Sequence, residues 1–239
     1  MQKLSLLFTK DALQWQLSKA KNVLEEEEHF LSEESFLNFI EEKLDEVLVK
    51  TSLEKIEVLS AFNHFTLTPE GFSEHDMGYQ LISYNSPVDK EKEELMLSVN
   101  KKYGVQFYYS FPKYYYERIK ALKVPSSFNF SGEKFLNTIQ TKNQKEIHIH
   151  LFHHQVEFLA LDHKKVILYN NIDATSEVDF LYFIMFTLKK IDFSIRDTHF
   201  YIYGELVENE TFISELKKFV KHFNIVFQNQ SKKNFILNR

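Results

Sequence analysis

"KEIHIHLFHHQVEFLALDHKKVILYN", Lys145 to Asn170, holds three extended runs, Glu146–Phe152, Val156–Leu161 and Val166–Asn170, separated only by "HHQ" and "DHKK". Short runs of β-favouring residues between polar breaks predict a meander of antiparallel strands. A helix is expected next, from about Ser176 to Ile191. Thr175 or Ser176 would start it, and Asp179, three beyond Ser176, makes a capping box. Around Phe180–Phe186 this helix is apolar on nearly every side, which predicts burial between two layers. "HFYIYG" reads as a strand ending at Gly204, and Glu210–His222 as a helix carrying Phe212, Leu216, Phe219, Val220 and Phe223 along one face. "IVFQ" closes as a strand.

The beginning of the chain follows the same order. Leu4–Phe8, Leu13–Leu17 and Val23–Phe30 are extended runs broken by "TKDA" and "SKAKN". A helix follows, with Ser32 as N-cap, Glu33 and Glu34 in its first turn, and Leu37, Ile40, Leu44 and Val47 on one face. "KIEVLSAF" and "FTLTP" read as strands, and "EGFSEHDMGYQLISY" as a helical segment broken by Gly78. Leu95–Val99 and Val105–Phe111 read as strands, before a helix over Tyr114–Leu122 with Pro112 in its first turn. "KVPSSFNFSG", Lys123 to Gly132, combines Pro, Ser and Gly and marks a boundary, with a short helix at Glu133–Thr141 beyond it. The expected class is α/β: two β-β-β-α-β-α-β halves, residues 1–125 and 126–239, each a mixed sheet flanked by helices. That is the plan of a duplicated ribonuclease-H-like fold, as in actin-like ATPases.

The 239 residues suit one large domain or two small ones, and 24 Phe and 12 Tyr supply ample core. A net charge of −5 argues against a general affinity for nucleic acid or anionic membranes. The longest apolar stretch, Phe180–Leu188, is too short to span a bilayer, and the N-terminus lacks the pattern of a signal peptide. The absence of cysteine excludes disulfides, thiolate metal sites and cysteine nucleophiles, and fits a cytoplasmic location. The five glycines are too scattered for a phosphate-cradling loop.

"FTLTPEGFSE", "LYNNIDATSEVDFLYFIMFTLKKI" and "YIYGELVENETFISELKKFV" resemble a bacterial family of unknown function with a degenerate actin-like ATPase fold. The resemblance runs along nearly the whole chain. It implies architecture, and it permits a test against nucleotide-binding members of the fold, which use two phosphate hairpins carrying an acidic residue and glycines. The first hairpin here offers Lys10 and Asp11 without glycine. The second, "IHIHLFHHQVEF", offers His153 and His154 with neither Asp nor Gly at its turn. At the adenosine loop only Gly204 stands, followed by Glu205. ATP hydrolysis is not expected by that route, and no cofactor is expected.

Two site readings therefore compete with a non-enzymatic, protein-binding scaffold. One is a cleft that binds a nucleotide or small anion through residues such as His153, His154 and Glu205. The other is a metal site on His148 and His150, which share a strand face while Ile147, Ile149 and Leu151 share the other. The plainer expectation puts the isoleucine face in the core and the histidines toward a polar surface or cleft. "FYYSFPKYYYERIK", Phe107 to Lys120, mixes aromatic and basic residues as single-strand binders do, yet core packing is the expected role. No catalytic residue is assigned, and the expected partner is a protein.

Overall fold

A computed structural model describes residues 2–20, 22–32, 38–49, 53–72, 77–152, 155–173, 176–204, 210–226 and 236–237. The chain divides into two compact units, residues 1–137 and 138–239.

In the first unit, β1 (Gln2–Phe8), β2 (Ala12–Lys19) and β3 (Asn22–Phe30) form the expected meander. β4 (Lys55–Ser60) and β8 (Ser126–Phe130) complete a sheet in the order β3-β2-β1-β4-β8. The meander is antiparallel, while β4 runs parallel to both β1 and β8. Alternation along the strands sends Leu4, Leu6, Phe8, Leu13, Trp15, Leu17, Ile56 and Val58 to one face. There they pack on Leu44, Val47 and Leu48 of α1 (Phe39–Leu48) and on Ile119 of α3 (Lys113–Ala121). Glu33, Glu34 and Leu37 lie outside the described residues; the described helix starts at Phe39, with Asn38 rather than Ser32 at its N-cap position.

The second unit repeats this plan. β9 (Lys145–Phe152), β10 (Gln155–Asp162), β11 (Lys165–Asp173), β12 (His199–Gly204) and β13 (His222–Ile225) form a sheet ordered β11-β10-β9-β12-β13. The two sheets share one strand order, so the duplicated plan is present, although the fifth strand of the first sheet lies beyond the residues 1–125 read for that half. Ile147, Ile149 and Leu151 fill the core with Phe180, Ile184 and Leu188 of α5 (Glu177–Lys190) and Ile213 and Leu216 of α6 (Glu210–Lys217). α6 and the last strand end earlier than expected, because β13 starts at His222 rather than Ile225.

Two corrections concern organisation. β5 (Phe65–Pro69), β6 (Glu93–Asn100) and β7 (Val105–Pro112) do not belong to the repeated plan. They build a separate antiparallel sheet, β5-β7-β6, inserted between β4 and β8. α2 (Gly78–Ser83) starts at the glycine expected to break it, and packs on β7. The expected boundary after residue 125 is displaced as well. "SSFNF" is a strand rather than a linker, paired in parallel with β4. Its Phe130 ring meets Phe65, Phe107 and Tyr109 of the inserted sheet at 4.9, 5.2 and 5.3 Å. That aromatic hub holds 126–137, which includes all but the last residue of α4 (Ser131–Thr138), in the first unit. Phe107, Tyr108, Tyr109 and Phe111 are buried, so the strand part of this aromatic run is core, while Tyr114 on α3 is exposed.

Helix α5 differs from expectation in a way that matters below. Its start is as read: the Ser176 side chain accepts from the Asp179 backbone N–H at 3.2 Å and donates to the Asp179 carboxylate at 2.7 Å. Replacing Ser176 by alanine should cost about 1 kcal/mol, read as a Tm fall of about 2–4 °C. The helix is not buried on all sides, however: Val178, Tyr182 and Phe186 are 74%, 68% and 47% exposed. One face covers the sheet, and the apolar residues left over point outward.

Candidate functional site

The hairpin at the start of the first unit is closed by a hydrogen bond from the Thr9 N–H to the Ala12 carbonyl, 3.0 Å. The Thr9 hydroxyl donates to the Asp11 carboxylate at 3.2 Å. Lys10 is exposed and Asp11 half-buried. None of the four turn residues has positive φ, so the turn needs no glycine. In the second hairpin Phe152 pairs with Gln155, and His153 and His154 between them lie outside the described residues, as does Glu205.

Gly204 is described, and its glycine has a local cause. Its φ is +99°, and a Cβ there would stand 2.1 Å from the Leu151 carbonyl oxygen and 2.9 Å from His150 Cδ2. β12 and β9 are locked together at that point, which explains the residue without a ligand.

The opposite face of the second sheet carries the densest polar chemistry among the described residues. His148 and His150 are each 1% exposed, so they do not face open solvent. Their neighbours on this face are Glu146 and Glu157, both fully buried. His150 Nδ1 lies 2.7 Å from Glu157, whose other oxygen accepts from the Tyr169 hydroxyl at 2.8 Å. His148 Nε2 lies 3.2 Å from Glu146, and its Nδ1 3.0 Å from the Tyr203 hydroxyl. Its ring stacks on Tyr201 at 4.8 Å. Glu146 also accepts from the Lys142 N–H at 3.0 Å and from the Gln144 amide at 3.2 Å.

Burial pushes the His148 imidazole below its usual range, against the pull of Glu146. For Glu146, burial alone would raise the carboxyl, but hydrogen bonds from His148, Lys142 and Gln144 outweigh it and hold it low. The pair is therefore an ionised carboxylate beside a neutral imidazole. The hydrogen bonds assign its proton to Nε2, leaving Nδ1 to accept from Tyr203. Each histidine serves a different carboxylate, and no set of three His, Asp or Glu groups among the described residues is placed to hold a metal ion. The arrangement binds its own partners and satisfies a buried polar layer.

The acidic and tyrosine partners were not singled out from the sequence, although one was within reach. Counting outward from the Phe152–Gln155 pair puts His150 opposite Glu157. Tyr201 and Tyr203 needed the parallel register of β12 against β9. In the first unit, Glu57 occupies the position of Tyr201: it pairs with Ser5 as Tyr201 pairs with His148. Burial there would raise the Glu57 carboxyl, but Lys55 and Lys3, at 2.7 and 3.0 Å, hold it down at about 2.

Residues 1–223 match the model of a family described as "Protein of unknown function (DUF3822)". No curated protein matches the chain. Among solved structures, the chain is similar to a Bacteroides thetaiotaomicron protein with an actin-like ATPase fold and unknown function. The TM-score is 0.80 at 18% identity, covering 99% of this chain and 93% of that one. It is also similar to a chain of the PilM–PilN type IV pilus biogenesis complex, at TM-score 0.58 and 10% identity over 95% of this chain and 88% of that one. A third is the cytoplasmic domain of EpsL, an inner membrane component of the type II secretion system of Vibrio cholerae. There the TM-score is 0.52 at 10% identity, over 100% and 92% of the two chains. At these identities the likeness shows the fold: this chain has an actin-like ATPase fold. Among the described residues no helix is long and apolar enough to cross a membrane.

Proposed function

The chain belongs to this family of unknown function, and we propose that it uses an actin-like fold without working phosphate loops as a non-enzymatic, protein-binding scaffold in the cytoplasm. The observation that carries this reading is the first hairpin. Its Asp11 carboxylate is engaged by Thr9 inside its own turn, and no residue between Thr9 and Ala12 takes the positive φ with which backbone N–H groups are often turned toward a phosphate. Gly204, the one glycine where an adenosine loop is expected, is accounted for by contact with Leu151. A structural neighbour solved as a complex of PilM with PilN supports a role in which the fold serves a protein partner.

Calorimetric titration with ATP and magnesium is expected to give no binding in the micromolar range. Micromolar binding abolished by Asp11→Ala would overturn the proposal. A panel of nucleotides and small anions, read by thermal shift, tests the competing cleft reading. A shift lost on mutating His153, His154 or Glu205 would favour that reading instead.

A further inference from the structure

Helix α5 is a 14-residue helix whose inner face is fully committed to the core through Phe180, Ile184 and Leu188. Its outer face is apolar too. Val178, Tyr182 and Phe186 recur every four residues and form one stripe, 74%, 68% and 47% exposed. The stripe is ordered: the Tyr182 and Phe186 rings stack at 5.8 Å, and the Lys190 ammonium lies 5.2 Å from the Phe186 centroid. Three large apolar side chains in line on one surface helix need an explanation, because single exposed ones are ordinary but a continuous stripe marks a contact.

The charges at the two ends of the helix say which contact. Glu177 and Asp179 stand in the first turn, Lys189 and Lys190 in the last. This pattern is complementary to itself only when the helix is reversed. On a helical wheel at 100° per residue, Asp179 and Lys190 flank the stripe on the same side. In an antiparallel pair centred near Ile184, Tyr182 of one copy meets Phe186 of the other. Asp179 then comes level with Lys189 and Lys190 of the second copy, and the two-fold axis repeats each contact. The opposed helix dipoles add to the match.

We propose that the outer face of α5 is a self-association surface that binds a second copy of this chain, helix against antiparallel helix, with Tyr182 and Phe186 at its centre. A single helix pair about 21 Å long falls short of the roughly 1,200 Å² that stable interfaces bury, so the dimer is weak and concentration-dependent. This does not rest on the absence of nucleotide chemistry, and a nucleotide titration leaves it untouched.

Sedimentation velocity over a concentration series up to about 1 mM should show a reversible monomer–dimer equilibrium, with Kd on the order of 10–500 μM. Tyr182→Glu and Phe186→Glu should each weaken it at least tenfold. Both sites are exposed, so the circular dichroism spectrum and Tm should stay near those of the parent. The charge pattern gives a sharper test. A Lys189→Glu/Lys190→Glu variant and an Asp179→Lys variant should each be monomeric alone, while their equimolar mixture associates, because Asp179 of one copy and Lys189 and Lys190 of the other regain opposite charge only in the mixed pair. A chain monomeric throughout the series, a dimer indifferent to Tyr182→Glu and Phe186→Glu, or a mixture that fails to associate would each overturn the proposal.

Discussion

Gly204→Ala is expected to be the most damaging conservative substitution on the second sheet, at about 3–5 kcal/mol of stability. Two costs act together. At φ +99° an L-residue is strained whatever the space around it. The added methyl would also stand 2.1 Å from the Leu151 carbonyl oxygen, a backbone atom held in the β9–β12 ladder. It cannot retreat without breaking that ladder. Gly78 is the instructive contrast: a Cβ there meets Tyr108 and Leu95 side-chain atoms at 2.7–2.9 Å, and side chains can re-pack. Gly78→Ala should therefore cost less. Urea unfolding followed by circular dichroism measures both. A Gly204→Ala protein as stable as the parent would remove the structural account of this glycine and return it to the adenosine-loop reading.

The contrast also shows what the sequence carried. Strand alternation and turn residues are local, so both meanders, the α5 capping box and the duplicated plan could be read directly. Lys123–Gly132 misled because a strand rich in Ser and Asn looks like a linker; only pairing with β4 and the Phe130 aromatic hub make it part of the first sheet. The inserted sheet was visible as strands but not as a sheet, since partners such as Phe65 and Tyr109 are far apart in sequence. Helix α5 misled in the opposite sense. Hydrophobicity all round predicts burial all round, but the helix covers only one sheet face and leaves Tyr182 and Phe186 outward. For the histidines, alternation correctly split isoleucines from imidazoles. It could not say that the imidazole face was buried, because that depends on what covers the sheet and not on the strand itself.

That buried face supports the second large effect. Glu146→Ala removes the acceptor for His148, the Lys142 N–H and the Gln144 amide at once, at a site with no solvent exposure. Orphaned buried donors and the cavity left behind should cost about 3–5 kcal/mol, whereas Glu146→Gln keeps the shape and one acceptor and should cost less. The pH dependence follows from the same pair. His148 sits below the ordinary histidine value of 6.5 when folded, so the unfolded chain binds more protons as pH falls. Its contribution is complete above pH 6.5 and is lost progressively below it. The slope approaches about 1.4 kcal/mol per pH unit where the unfolded imidazole is protonated and the folded one is not. Glu146, held below 4.5, adds a loss of the same sign at lower pH. His199 is also held low, by burial and by its neighbour His222, so it contributes to the upper window too. His148→Gln should therefore flatten the stability profile below pH 6.5 without making it level. Urea midpoints for parent and variant at half-unit pH intervals decide the matter. Parallel profiles would mean that His148 is not held neutral, and the proton assigned to Nε2 would have to be reconsidered.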